Sequence, residues 1–347
     1  MSRAISLDSI RAAAPNVYTT AVRTPLVRLD PASDGLPEIW LKLEILQPIG
    51  SFKIRGAANA VAQLVQTGQV RAQRTERGDG APRVSEPGGV QGSPPNEVWT
   101  VSAGNAAQGV ALAARRAGVP CSVMVMDTAP DAKLHAINRL GATIVKATYD
   151  ECWRTVEAHA SDRMPGHFVH PFDDDAFISG NGTAGLEIVE DLPDVDAVIA
   201  PVGGGGLLAG IGVALRALRP GARIYAAEPE TAAPLQRSFE RGTASRFDEW
   251  QPSFVDGAGG KSVLDSMWPL LREYVHESMV VSLDDAARAM RLVAERVRVI
   301  AEGAAACAVA AAVSPAMAAR GHKHIVAVVS GGNVDLKKFA ALVGACG

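Results

Sequence analysis

Four consecutive glycines, Gly203-Gly204-Gly205-Gly206, set between an apolar strand and an apolar helix, limit this chain more than any other stretch. Asp196-Ala197-Val198-Ile199-Ala200 precedes them and reads as a buried strand, while Leu207 to Leu218 reads as a helix. Such a run lets the backbone fold into a cup of N–H donors at a helix N-terminus, an anion site that suits a phosphate. A Walker lysine-serine pair is missing, and the spacing misses the dinucleotide fingerprint. Strand and helix alternate almost throughout, which implies a mostly parallel sheet wound on both faces. Strands are expected at Glu38–Leu43, Val98–Val101, Cys121–Met126, Thr143–Val145, Asp196–Ala200, Arg223–Ala227 and His324–Val329.

Three further segments repeat the strand-to-turn design. In Gln47-Pro48-Ile49-Gly50-Ser51-Phe52-Lys53-Ile54-Arg55-Gly56-Ala57, Pro48 and Gly50 punctuate a turn and Ser51 is the expected N-cap. Lys53 then falls in the first turn of a helix, where the dipole disfavours a cation. A lysine placed there between apolar neighbours is a candidate for a depressed pKa and Schiff-base chemistry, set against a plain solvated lysine. Thr100-Val101-Ser102-Ala103-Gly104-Asn105 turns from a strand into the helix Ala106 to Ala117; taken alone it reads as an ordinary N-capped helix, and beside the other segments its free amides with Ser102 and Asn105 read as a cradle sized for a carboxylate. Ile325 to Val329 leads to Ser330-Gly331-Gly332-Asn333, and ligands of open α/β sheets gather at such strand ends.

Taken in order, Ser-Phe-Lys, Ser-Ala-Gly-Asn, tetraglycine and Ser-Gly-Gly-Asn resemble the fold-type II pyridoxal-phosphate enzymes, within them the threonine/serine dehydratase and serine racemase group. His170-Pro171-Phe172-Asp173-Asp174, Ser179 to Ile188, Asp256-Gly257 and Ala301-Glu302-Gly303-Ala304 look like that group's recurrent segments, so the likeness runs from about Thr24 to Asp335. The resemblance implies a tryptophan synthase β-like α/β architecture: two doubly wound, mostly parallel sheet domains with the cofactor in the cleft. Residues 1–66 and 174–347 would form a large domain anchoring the cofactor, and 97–173 a small substrate-side domain. Residues 67–96, rich in Gly, Pro and Arg with no apolar period, read as a mobile insertion.

The resemblance also implies roles. Lys53 would form the Schiff base with pyridoxal 5'-phosphate and act as the catalytic base, with Phe52 packed on the ring. Gly203, Gly204, Gly205, Gly206 and Leu207 would hold the phosphate. Asn105 would meet the ring hydroxyl, Ser330 the pyridine nitrogen, and Gly257 and Glu302 would flank the ring. Ser102, Ala103, Gly104, Asn105 and Ala106 would line the substrate carboxylate site. The implied reaction is α,β-elimination of water from a β-hydroxy amino acid of the threonine or serine type, giving a 2-oxo acid and ammonia. A hydroxyl at 330 is too weak an acid partner to keep the pyridine nitrogen protonated, which favours rapid elimination over transamination.

Three departures refine this. Ala106 stands where many relatives carry histidine, leaving the side-chain preference open between threonine, serine, 3-hydroxyaspartate and phenylserine. Ala103 stands where serine racemases carry a proton-donating serine, so racemisation should be minor. Pro234 replaces an acidic residue of the cation-binding relatives, and Glu228 alone is a poor site for a hard cation; no metal is expected. A β-replacement synthase of the same fold, and a non-catalytic amino-acid or phosphate-binding protein, are the alternatives.

The remaining features exclude other classes. A formal net charge of -3 with no long basic run argues against nucleic acid and anionic membranes as partners. No stretch is long and apolar enough to span a bilayer, and Cys121, Cys152, Cys307 and Cys346 show no metal spacing, so reduced cytoplasmic thiols are expected. His135, His167, His170, His276, His322 and His324 show no ligand grouping, and Asp173-Asp174-Asp175 reads as a turn with a helix N-cap. Trp153 and Trp268 are candidates to line a substrate pocket, with core packing the safer reading of either alone, and Glu302 to Ala319 reads as one small-residue helix. The family resemblance suggests a homodimer or homotetramer, with a small amino acid as substrate.

Overall fold

The computed structural model describes residues 3–29, 37–73 and 96–345. Most of the segment read as an insertion (74–95), and Cys346, therefore lie outside the described residues. Within them the strands are β1 (Leu26–Arg28), β2 (Glu38–Lys42), β3 (Val98–Val101), β4 (Cys121–Met126), β5 (Thr143–Ala147), β6 (His167–Phe168), β7 (Ala197–Pro201), β8 (Arg223–Pro229), β9 (Glu277–Val281) and β10 (His324–Val328). They form two sheets among the described residues, a six-stranded one in the order β1-β2-β10-β7-β8-β9 and a four-stranded one in the order β5-β4-β3-β6. Every pairing is parallel except β1 with β2.

Both sheets are covered on both faces, as parallel sheets are. Along β10, Ile325 and Ala327 point into one core and Val326 and Val328 into another. The smaller sheet divides likewise: Val98, Val123 and Val125 face one cluster, and Trp99, Val101 and Met124 the opposite one. These are continuous apolar runs, and the pleat alone decides which side chain goes to which face.

The helices before the larger sheet's crossover are α1 (Leu7–Val17), α2 (Lys53–Gln66), α3 (Asn105–Ala117), α4 (Asp131–Arg139), α5 (Tyr149–Ala158) and α6 (Asp175–Asp191). They are followed by α7 (Gly206–Leu218), α8 (Pro234–Arg241), α9 (Trp268–Tyr274), α10 (Leu283–Val297), α11 (Gly303–Ala312), α12 (Pro315–Ala318) and α13 (Leu336–Ala345). Helix α2 packs among α1, α3 and α6. Its Ala57, Ala60 and Val61 pack with Val110 and Ala114 of α3 in the smaller sheet's core, while Ile54 packs with Ala13 and Val17 of α1.

Several expectations need correction. Ser51 does not cap α2: the N-cap is Phe52, without a side-chain bond, and Ser51 instead bridges Gly331 beyond β10. The helix expected from Glu302 to Ala319 is two helices, because Ser314 accepts the Met317 N–H and restarts the chain with Pro315 in its first turn. Strands β1, β6 and β9 were not foreseen; β1 and β6 have three and two residues, too short for a periodic signal. By contrast, Asp174 caps α6 through the Phe177 N–H at 2.7 Å, as its triple-aspartate turn led one to expect. Among the described residues, no helix is long and apolar enough to cross a membrane.

Candidate active site

A cavity of about 440 Å³ opens at the carboxyl ends of the strands of both sheets, and all four singled-out segments reach it. The glycine loop after β7, Lys53 at the start of α2, the Ser102–Asn105 loop after β3 and Ser330 after β10 all line it, together with Phe52, Ala103, Ala106, Leu207, Gly257 and Glu302. Every candidate site residue is thus gathered in one place.

Lys53 is tied into this cavity from below. The Phe52 N–H donates to the Ser330 carbonyl at 3.0 Å, joining the start of α2 to the end of β10. The Lys53 ammonium donates to the Pro171 carbonyl at 2.6 Å and lies 5.2 Å and 5.5 Å from the ring centres of Phe52 and Phe177. Burial, with no carboxylate to offset it, lowers the Lys53 pKa to about 8. A substantial fraction of the amine is therefore neutral, and nucleophilic, near physiological pH.

Two residues further along, Arg55 is fully buried and binds two carboxylates. It donates to both oxygens of Glu44 at 2.7 Å, and to Glu187 at 2.6 and 2.9 Å. Lys42 on β2 also pairs with Glu187 at 2.6 Å. This network clamps the first turn of α2 between β2 and α6, which fixes the point where Lys53 leaves the backbone.

The glycine loop is close-packed against its surroundings. A Cβ on Gly204 would sit 2.0 Å from the Phe172 ring, and one on Gly206 would sit 2.6 Å from the Phe172 carbonyl oxygen. Gly205 adopts φ +91, which favours glycine. Helix α7 begins at Gly206, so the first-turn N–H groups lack intrahelical acceptors and border the cavity, a ready place for an anion.

Across the cavity, Asn105 is held at both ends. Its amide nitrogen donates to Glu302 at 2.9 Å, and its oxygen accepts from Asn333 at 2.7 Å. Burial raises the Glu302 carboxyl to about 7. Ser102 Oγ accepts the Gly104 N–H at 3.0 Å, shaping the turn that leads into α3. The Ser330 side chain is buried at the cavity wall and makes no hydrogen bond among the described residues.

These groups fit pyridoxal phosphate. A buried amine of lowered pKa suits its aldehyde, the first turn of α7 its phosphate, and Asn105 its ring hydroxyl. The unpartnered Ser330 hydroxyl suits its pyridine nitrogen.

Other residues at the site were not foreseen. Pro171 receives the Lys53 bond, Phe172 packs over the glycine loop, and Asn333 steadies Asn105. Of the two tryptophans weighed between pocket and core, Trp153 lines the cavity and Trp268 is core. Trp153 belongs to an apolar stripe on α5, and such a stripe looks the same whether it faces a core or a pocket.

The histidines do form one grouping. His159, His170 and Asp173 bring their ligand atoms within 4.8 Å of one another. His159 takes a left-handed conformation at the end of α5, which swings its ring onto His170 at 4.3 Å. Both His170 nitrogens are engaged, however: Nδ1 accepts the Asp173 N–H at 2.7 Å and Nε2 donates to the Val156 carbonyl at 3.2 Å. Burial and the neighbouring His159 push His170 down to about 3, so it stays neutral and braces the turn that presents Pro171. Glu228 is likewise engaged, accepting from the Leu235 and Gln236 amides at 2.9 and 2.8 Å and from Ser278.

Residues 17–331 match the family model described as pyridoxal-phosphate dependent enzyme. The chain is 35% identical to an L-threonine ammonia-lyase of Thermotoga maritima over 98% of its own length and 78% of that protein. It is 36% identical to the serine racemase of Homo sapiens over 86% of this chain and 82% of that one. Among solved structures, maize serine racemase superposes with a TM-score of 0.83 at 30% identity, covering 97% of this chain and 96% of that one.

Proposed function

The chain belongs to the family of pyridoxal-phosphate dependent enzymes, of fold type II, and on that premise we propose that it eliminates water from a β-hydroxy amino acid. The products are a 2-oxo acid and ammonia. When bound, the cofactor supplies an aldehyde that condenses with amines and an electron sink that acidifies the Cα–H bond. The rest falls to the chain's own residues.

In this reading the substrate carboxylate lies against the amides around Gly104 and Asn105, at the start of α3, where the helix dipole favours negative charge. Lys53 Nζ accepts the Cα proton; its pKa of about 8 makes it a competent base near neutrality. Glu302 and Asn333 keep Asn105 from turning away. Ser330 offers the pyridine nitrogen a hydroxyl and no carboxylate, which suits fast expulsion of the β-hydroxyl over slow exchange of the amino group.

A single asymmetry carries the preference for elimination over racemisation. Lys53 brings a proton-accepting amine to the cavity, while position 103, at the carboxylate loop, brings only a methyl group. A racemase needs acid–base groups on both faces of Cα.

The test is release of 2-oxo acid and ammonia from serine and threonine, alongside recovery of the opposite enantiomer, by wild type and Lys53→Ala. Wild type should absorb in the visible and turn over with elimination far ahead of racemisation, and Lys53→Ala should lose both the band and the turnover. Racemisation equal to elimination would sink the reading.

A further inference from the structure

The cavity has two unlike sides. On the larger sheet's side stand the glycine loop, Ser330 and Glu302, all polar or backbone. On the smaller sheet's side the carboxylate loop, with Ser102, Asn105 and Gln108, is polar, and the stretch beyond it is mostly apolar. Val101, which immediately precedes the carboxylate loop, pairs in register with Met124, and Met126 follows two residues later on the same face of β4. Helix α5 then lays Tyr149, Cys152, Trp153 and Val156 along the cavity, a stripe spaced i, i+3, i+4 and i+7 that brings four successive side chains to one helix face.

Polarity on this wall is confined to the Tyr149 end, where the Lys261 ammonium lies 4.4 Å from the Tyr149 ring. Trp153 Nε1 donates to Glu157 on its own helix at 2.7 Å, leaving the indole's carbon surface for the cavity. The lysine at its rim, Lys133, is paired with Asp256 at 2.6 Å. At the loop itself, Ala103 and Ala106 present methyl groups where a larger residue would fill the space. A methyl or hydrogen on the substrate's Cβ leaves such a wall unfilled, and a carboxylate set against Met126, Cys152 and Val156 would lose water without gaining a partner.

We propose that the wall formed by Met124, Met126, Tyr149, Cys152, Trp153 and Val156 receives a large apolar group, an aryl ring, on the substrate's Cβ, which makes the substrate class the 3-aryl-serines. This rests on the elimination reading above and narrows it away from serine and threonine. The reaction balances simply. The Cα–H and Cβ–O bonds break, a Cα–Cβ double bond forms and one water leaves. The released enamine tautomerises and takes up one water, giving a 3-aryl-2-oxo acid and ammonia.

The experiment has two arms on the holoenzyme. In the first, kcat/KM for elimination is measured with threo-3-phenylserine, threonine, serine and threo-3-hydroxyaspartate; phenylserine should exceed threonine at least tenfold. In the second, calorimetry compares L-phenylalanine with L-alanine, neither of which has a hydroxyl to lose. Phenylalanine should bind at least tenfold tighter, and Trp153→Ala should shrink that ratio at least fivefold while leaving alanine bound. Phenylalanine bound tightly by a protein inactive on every substrate would support the pocket and sink the elimination reading. Turnover of serine or threonine with no preference for either aromatic compound would overturn the pocket and spare the elimination. A preference for hydroxyaspartate, or a Trp153→Ala ratio unchanged from wild type, would also overturn the pocket.

Discussion

Lys53 should make the protein less stable when stripped of cofactor, and the effect should fade as the pH rises. Its pKa falls from an ordinary 10.5 to about 8 because the ammonium is buried. At about 1.36 kcal/mol per pH unit, that fall corresponds to about 3 kcal/mol against the folded state at neutral pH. The residue as a whole is only half-buried, since the cavity admits water, and that screening trims the figure to about 2 kcal/mol. Lys53→Met keeps the length of the side chain and removes the charge, but leaves the Pro171 carbonyl without its donor, a loss of about 1 kcal/mol. The variant should therefore be about 1 kcal/mol more stable than wild type at pH 7. Between pH 8 and 10.5 the unfolded chain still holds the Lys53 proton and the folded chain has released it, so wild type gains stability with rising pH. By pH 10.5 the order should reverse, with the variant about 1 kcal/mol less stable, a swing of about 2 kcal/mol. Urea unfolding of both stripped proteins at intervals from pH 7 to 10.5 measures this gap, and other titrating groups cancel in the difference. A gap that stays flat across the window would refute the reasoning.

Two further outcomes follow from contacts around the site. Arg55→Met leaves Glu44 buried without its cation while Glu187 keeps Lys42, and stability should fall by about 3–5 kcal/mol in urea unfolding, with loss of cofactor affinity as the start of α2 loosens. Gly206→Ala sets a Cβ 2.6 Å from the Phe172 carbonyl oxygen, a backbone atom that cannot swing aside; the dissociation constant for pyridoxal phosphate, followed by its absorbance, should rise at least tenfold, and stability should fall by about 1–3 kcal/mol.

The elements that could be read from sequence are those where glycine or an unbroken apolar run leaves few choices. The segments from Cys121 to Met126 and from Val98 to Val101 are strands with the bounds their composition implies, and the tetraglycine loop can hardly be other than a tight strand-to-helix turn. What could not be read depends on partners far along the chain. Ser51 looks like a helix cap, yet it pairs with Gly331, 280 residues away, and no local rule separates the two. Arg55, Lys42, Glu44 and Glu187 look like surface charges, because burial of a charged side chain is unusual unless partners assemble around it. Trp153 shows a different limit: its helical stripe is apolar, but periodicity identifies an apolar face without saying whether protein or ligand will cover it.

The buried charge network and the lysine of lowered pKa belong to one arrangement. An amine lowers its pKa only if burial is not undone by a nearby carboxylate, and the carboxylates that hold helix α2, Glu44 ahead of it and Glu187 on α6, meet it at Arg55, two residues beyond Lys53. Glu44 and Glu187 are both committed to Arg55, and Glu187 also to Lys42, so the acids that hold α2 in place are spent on other cations. Lys53 meets a carbonyl oxygen and two aromatic rings instead, partners that orient an ammonium without raising its pKa to that of a salt bridge. Rigidity of the backbone and softness of the base are thereby separated by two residues, and exchanging Lys53 with its neighbours would lose one or the other. Across the cleft, the glycine loop, Ser330 and Glu302 border the cavity from the larger sheet's side, and the apolar stripe of α5 borders it from the smaller one.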